Sequence, residues 1–169
     1  MSSKKSSVIF LVGMMGSGKS TVGLRLAQFL GFKFLDTDKM IVDSENLSII
    51  NIFKNKGESY FRVLETNLLD KIEKNNVVVA TGGGLPIYNN NMKKLKKMGS
   101  TVYLSITPSE IYLRLKNSND RPLLQKKIGS IEELLKSRES TYALASCQVN
   151  CNGKKVEQLV KEIVNKLNL

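Results

Sequence analysis

The sequence predicts a three-layer α/β/α domain built on a parallel sheet, and three observations carry that prediction. Short β-branched apolar runs alternate with helical patterns along the chain. One of the runs, Asn76-Val-Val-Val-Ala80, is apolar throughout, as a central strand buried on both faces must be. Gly13-Met-Met-Gly-Ser-Gly-Lys-Ser20 has the G-x-x-x-x-G-K-S pattern of a phosphate-binding loop and lies between a strand pattern and a helical one. With 169 residues, 41% of them hydrophobic, the chain can bury the core of one domain, and it contains no internal repeat, linker or low-complexity tract.

The elements follow in order. Ser7–Val12 predicts the first strand, which feeds the glycine loop. Beyond the loop Val22, Leu26, Phe29 and Leu30 recur at helical spacing, and Gly31 closes that helix. Gly13, Gly16 and Gly18 let backbone N–H groups converge on phosphate oxygens at the positive end of the helix. Lys19 adds a point charge for the β- and γ-phosphates, and the Ser20 hydroxyl is a ligand for Mg²⁺. Phe32–Leu35 is a brief second strand that runs into Asp36-Thr37-Asp38. Two carboxylates two residues apart can face one site at the carboxyl end of a strand, where open α/β sheets bind ligands. The plainer alternative is that one of them is the N-cap of a helix over Lys39–Ser44.

Ser48 predicts the N-cap of a helix that Gly57 stops, and Glu58–Lys74 reads as a longer helix with Phe61, Leu64, Leu68 and Ile72 inward. Arg62 adjoins that stripe with Glu65 three residues on, a spacing that by itself describes a surface pair. The Asn76–Ala80 strand leads directly into Thr81-Gly82-Gly83-Gly84. Three glycines there imply backbone pressed against a ligand or a neighbouring segment. Asn89–Met98 is a basic helix closed by Gly99, Ser100–Ile106 the fourth strand, and Thr107-Pro108 the start of a helix that carries Arg114. The polar stretch 117–130, with Arg121, Pro122 and Gly129, has the length and composition of a lid. Ile131–Ser146 places Ile131, Leu134, Leu135, Tyr142 and Ala145 on one helical face. Arg138 shares that face, where a charge requires a carboxylate or a ligand. Cys147–Val149 is a weak last strand, and Val156–Leu167 an amphipathic closing helix.

A net charge of +11 calls for anionic partners, which nucleotides and small acids satisfy as well as nucleic acid. The lysines cluster at Lys93-Lys94, Lys96-Lys97, Lys126-Lys127 and Lys154-Lys155 without aromatic interleaving, so no nucleic-acid role is expected. Cys147 and Cys151, with no histidine in the chain, exclude a zinc site and a disulfide framework. The apolar run after Lys4-Lys5 ends in the phosphate loop without a cleavage site, and no run reaches membrane-spanning length. The expectation is a soluble, cytoplasmic, monomeric protein with no nucleic-acid or membrane partner.

Together these motifs resemble shikimate kinase, over essentially the whole chain. They are the phosphate loop, Asp36-Thr37-Asp38, Gly57-Glu58 leading to Phe61-Arg62, Gly82-Gly83-Gly84, Arg121-Pro122-Leu123-Leu124, and Arg138 with Tyr142. The resemblance implies a P-loop kinase fold with a five-stranded parallel sheet, ATP as donor and a requirement for Mg²⁺. The reaction it implies is phosphorylation of the 3-hydroxyl of shikimate, on the route to chorismate and the aromatic amino acids. It gives Asp38 the ring hydroxyls, with the attacking one either deprotonated or only positioned there. Arg62 and Arg138 clamp the substrate carboxylate beside Gly82, Gly83 and Gly84. Asp36 holds the water shell of Mg²⁺ opposite Ser20, and Gly16, Ser17, Gly18, Lys19, Ser20 and Thr21 hold ATP. Arg121 reaches the phosphates from the lid, and Arg114 flanks the adenine. Family members often carry an arginine in the loop after the last strand. This chain has Asn150-Cys-Asn-Gly153 there, which leaves Lys154 or Lys155 to take the place of that arginine. Two alternatives share the phosphate loop. A gluconate-type kinase should lack the two-arginine clamp joined to a triple glycine, and a binding-only nucleotide sensor has no use for Asp38 and a lid arginine.

Overall fold

The computed structural model describes residues 7–116 and 128–169. Its sheet has five strands: β1 (Val8–Val12), β2 (Lys33–Asp36), β3 (Val77–Ala80), β4 (Ser100–Ser105) and β5 (Cys147–Asn150). Their order is β2-β3-β1-β4-β5, and every pairing is parallel. Every residue of β1 and β3 is buried, which is why neither run shows polar alternation in the sequence.

Alternate residues of β1 feed two separate cores. Val8, Phe10 and Val12 pack with Leu95 of α4 (Asn91–Met98), Ile111 of α5 (Pro108–Lys116), and Ile131 and Tyr142 of α6 (Ile128–Tyr142). Ile9 and Leu11 pack with Val22 and Leu26 of α1 (Lys19–Leu30) and with Leu159, Val160 and Ile163 of α7 (Val156–Leu167). Each such aliphatic side chain contributes roughly 1.5–3 kcal/mol by leaving water. A smaller cluster joins Ile41 of α2 (Thr37–Glu45) to Ile52, Phe61 and Leu68 of α3 (Ile49–Leu68). Among the described residues no helix is long and apolar enough to cross a membrane.

Several helix boundaries differ from those the sequence predicts. Gly57 (φ 82°, ψ 166°) does interrupt the helical geometry, but the two segments abut within α3 without a connection. The second segment stops at Leu68, well before Lys74, because Leu69 and Ile72 turn in to join the sheet's core. α4 starts at Asn91, since Asn89 and Asn90 take the left-handed conformation that asparagine tolerates. α6 begins at Ile128, which takes Gly129 and Ser130 out of the expected lid, and ends at Tyr142. Past that end the Ser146 N–H donates to Thr101 Oγ1 on β4 at 2.9 Å. The rest of the expected lid, with Arg121, lies outside the described residues.

The parallel arrangement puts the carboxyl ends of β1, β2 and β3 side by side. Gly13, Thr37 and Thr81 follow those ends immediately, so the three motifs of the sequence converge at one edge of the sheet.

Candidate active site

A cleft of about 610 Å³ opens at that edge, lined by Gly16, Ser17, Gly18, Lys19, Ser20, Thr21, Asp36, Asp38, Gly83, Arg114 and Lys154 among others. Its floor is the glycine loop. Gly13, Gly16 and Gly18 all have positive φ, a geometry other residues adopt only under strain. Gly18 caps α1 with no side-chain hydrogen bond, so the positive end of the helix meets the cleft without a competing side chain. Ser17 is fully buried, and its hydroxyl has no hydrogen-bond partner among the described residues. Lys19 donates to the Gly13 and Met14 carbonyls at 2.8 and 2.6 Å, which holds the ammonium inside the loop at 8% exposure.

Asp36 does both jobs that the sequence left open. One oxygen caps α2, accepting from the Asp38 and Lys39 N–H groups at 3.1 and 3.3 Å. The other accepts from the Ser20 hydroxyl at 2.6 Å. A hydroxyl paired with a carboxylate beside a phosphate loop is the hard-oxygen donor set that suits Mg²⁺. Among the described residues no three His, Cys, Asp or Glu side chains group closely enough to hold an ion by themselves. Mg²⁺ keeps most of its waters and takes only one or two protein ligands, a number that Ser20 and Asp36 can supply.

The triple glycine is pressed against neighbouring side chains, one glycine to each. A Cβ on Gly82 would collide with the Asp38 carboxylate and come within 3.0 Å of Glu65 Oε1. On Gly83 it would sit 3.4 Å from both an Arg138 nitrogen and the Gly13 carbonyl oxygen. On Gly84 it would run into the Arg62 guanidinium. Asp38, Arg138 and Arg62 are therefore gathered on one strip of backbone, and that strip is fixed from both sides. Thr37 Oγ1 accepts from the Gly82 N–H at 2.8 Å, and the buried Tyr142 hydroxyl donates to the Gly83 carbonyl at 2.6 Å. Gly84→Ala should fold, because the obstacle is a side-chain end, yet displace that guanidinium.

Arg62 is not the surface pair its spacing describes. Its side chain is 12% exposed, between Glu65 Oε2 at 2.7 Å and Glu58 Oε1 at 2.9 Å. Its guanidinium carbon lies 4.2 Å from the Tyr88 ring centre, a cation–π contact that no local sequence pattern marks. The Arg62 hydrogen bond holds the Glu58 carboxyl below its ordinary pKa. Glu65 goes the other way: burial raises it to about 7 despite Arg62 and Arg138 nearby. Burial likewise raises the Tyr142 phenol, with Arg138 opposing.

On the opposite side of the cleft Arg114 donates to the Gly16 carbonyl at 3.2 Å and the Cys151 carbonyl at 3.4 Å, tying the phosphate loop to the loop after β5. Of the two lysines that follow Gly153, Lys154 lines the cleft and pairs with Glu162 at 2.6 Å. Lys155 is exposed at the start of α7, where Gln158 accepts from its N–H at 2.8 Å. Among the expected site residues only Arg121 has no place in this description.

Comparison with known protein families matches residues 15–168 to shikimate kinase. A shikimate kinase from Sulfurihydrogenibium sp. (strain YO3AOP1) is 46% identical over 160 residues, covering 94% of this chain and 96% of its own. The crystal structure of a shikimate kinase from Bacteroides thetaiotaomicron superposes with a TM-score of 0.91 at 33% identity, covering 96% of this chain and 99% of the other. A shikimate kinase from Acinetobacter baumannii in complex with shikimate gives 0.90 at 34% identity, over 97% and 94% of the two chains.

Proposed function

The chain belongs to the shikimate kinase family, ATP-dependent kinases acting on shikimate, and from that premise we propose how its own residues divide the reaction. The observation that carries the assignment is the strip Gly82–Gly84, which packs Asp38, Arg138 and Arg62 together a few ångströms from the phosphate loop. Arg62 and Arg138 take the shikimate carboxylate. Two planar guanidiniums match a carboxylate bidentately, and the stacked, doubly paired Arg62 loses little freedom in doing so. With the carboxylate anchored there, Asp38 accepts the hydrogen bond of the 3-hydroxyl, turns its lone pair toward the γ-phosphate and takes the proton as the new O–P bond forms and the bond from the γ-phosphorus to the β–γ bridging oxygen breaks, releasing ADP.

Gly16, Ser17, Gly18, Lys19, Ser20 and Thr21 bind the phosphates of ATP. Lys19 leaves its two carbonyls to offset charge on the transferring group. Ser20 and Asp36 would hold Mg²⁺, which when bound supplies further charge neutralisation on the phosphates. Arg114 and Lys154 flank the adenine, and Lys154 takes the place of the arginine that many relatives carry. Arg121 is assigned to the phosphates by the family resemblance alone. All of these groups come from one chain, so a monomer suffices, and we place the reaction in the cytoplasm without nucleic-acid or membrane partners.

ADP release with purified protein, tested across shikimate, gluconate, nucleoside monophosphates and RNA, checks this reading. Stimulation by shikimate alone is expected, and stimulation by gluconate or RNA in its place would overturn it. The clamp has its own test. Arg138→Lys keeps the charge and loses the fork, so shikimate should bind at least about tenfold more weakly at an unchanged melting temperature. A variant that melts early but binds shikimate normally when folded would make Arg138 a structural residue.

A further inference from the structure

We infer that binding of shikimate is coupled to uptake of one proton by Glu65, a positioning residue that adjusts the charge of the carboxylate clamp to its occupant. The inference rests on the substrate assignment made above.

Glu65 is 1% exposed, and its two oxygens are unlike each other. Oε2 accepts from Arg62 at 2.7 Å. Oε1 is buried with no hydrogen-bond partner among the described residues and faces the Gly82 backbone, on whose surface Asp38 also rests. The groups that act on Glu65 come from three elements. Arg62 lies on its own helix and brings Glu58 with it, Asp38 comes from α2, and Arg138 and Tyr142 come from α6. The backbone after β3 contributes the uncharged Gly82 and, stacked on Arg62, Tyr88.

Two guanidiniums thus already face three carboxylates before substrate arrives. The substrate brings a fourth carboxylate to the same two guanidiniums, in a site where little water is left to screen it. One negative charge must then be lost. Glu58 is a poor place for the proton, because half of it reaches solvent and Arg62 holds its carboxyl in the charged form. Asp38 has to stay charged to accept the proton of the reacting hydroxyl. Glu65 is the buried member, and burial has already brought it to the edge of neutrality near pH 7. A proton taken from solvent onto Oε1 neutralises it and turns an unpartnered acceptor into a donor. Arg62 keeps its bond to Oε2 while its charge is released to the substrate.

The sign follows from linkage. An added anion raises the Glu65 pKa further, so protons are taken up between the free and bound values. Below about pH 7 Glu65 is already neutral and affinity is flat. Above it, shikimate affinity falls with pH, by at most about tenfold per unit for a single proton.

Calorimetric titration of the whole protein with shikimate at pH 7.5, in PIPES, HEPES and Tris, measures the proton directly. The observed heat should scale with the buffer ionisation heat, with uptake of about half a proton or more, and Kd should weaken several-fold from pH 6.5 to 8.5. In Glu65→Gln the uptake and the pH dependence should both vanish, whereas Glu58→Gln should keep them. Shikimate binding in wild type with no buffer dependence would overturn the coupling while leaving the function intact. Uptake that survives Glu65→Gln, or is lost in Glu58→Gln, would overturn the assignment to Glu65. Absence of shikimate binding altogether would overturn the functional reading and this inference with it.

Discussion

Lys19→Ala is expected to lower turnover by roughly 10³-fold or more while the protein stays folded. The argument begins with where the ammonium sits. It is buried at the base of the loop, at 8% exposure. Yet it belongs to none of the apolar clusters. Two loop carbonyls hold it, Gly13 O at 2.8 Å and Met14 O at 2.6 Å, at the floor of the open cleft. A polyphosphate competes well for that ammonium, since it adds an attraction between opposite charges that the neutral carbonyls lack. Truncation removes the charge that acts on the transferring phosphoryl group, and water can enter to solvate the two carbonyls. Lys19→Met, which keeps the methylene packing, controls for the lost volume. Steady-state ADP release and a thermal melt on both variants give the answer. Activity within a few-fold of wild type would take Lys19 out of the mechanism.

Much of this site is legible in the sequence because its backbone requirements are written as residue types. The phosphate loop needs positive φ at Gly13, Gly16 and Gly18, and only glycine supplies it cheaply. The triple glycine is legible in the same way, as a strip that must be approached closely, although the sequence leaves open what approaches. The answer is Asp38, Arg138 and Arg62 rather than a ligand alone. Asp36 is legible as a cap or as a site residue, and it is both, since its two oxygens point to different partners. Arg62 and Glu65 show the limit. At i and i+3 on a helix they look like a solvated pair, and only tertiary packing buries them, Glu65 against Gly82 and Arg62 against Gly84 and Tyr88. Thr37 and Tyr142 pin the glycine strip through one hydrogen bond each. Such contacts join residues 45 and 59 positions apart, and no local pattern encodes them. The start of α6 at Ile128, three residues before the apolar pattern begins, has a simpler reason. Gly129 and Ser130 read as loop formers, yet the first turn of a helix tolerates both.

Asp38→Asn should cost about 10²–10⁴ in kcat and leave ATP binding as it is. Asp38 lies in the first turn of α2, where its N–H is already held by Asp36, so the isosteric amide can occupy the same place without disturbing the helix. On the proposed division of roles the substitution removes two things: the ability to take a proton from the attacking hydroxyl, and one negative charge from the cluster that surrounds Glu65. The two losses have separable consequences. Without a base, the chemical step slows whatever the affinity. With one carboxylate fewer beside Arg62 and Arg138, the anionic substrate meets less repulsion, so shikimate affinity should hold or tighten. A large fall in kcat with an unchanged or lower KM is therefore the signature of a base. The converse, kcat preserved with KM raised, would mean that Asp38 only holds the ring hydroxyls and that the proton leaves by another route. Single-turnover phosphoryl transfer at saturating ATP, compared with shikimate titration of the same variant, reads the two effects apart.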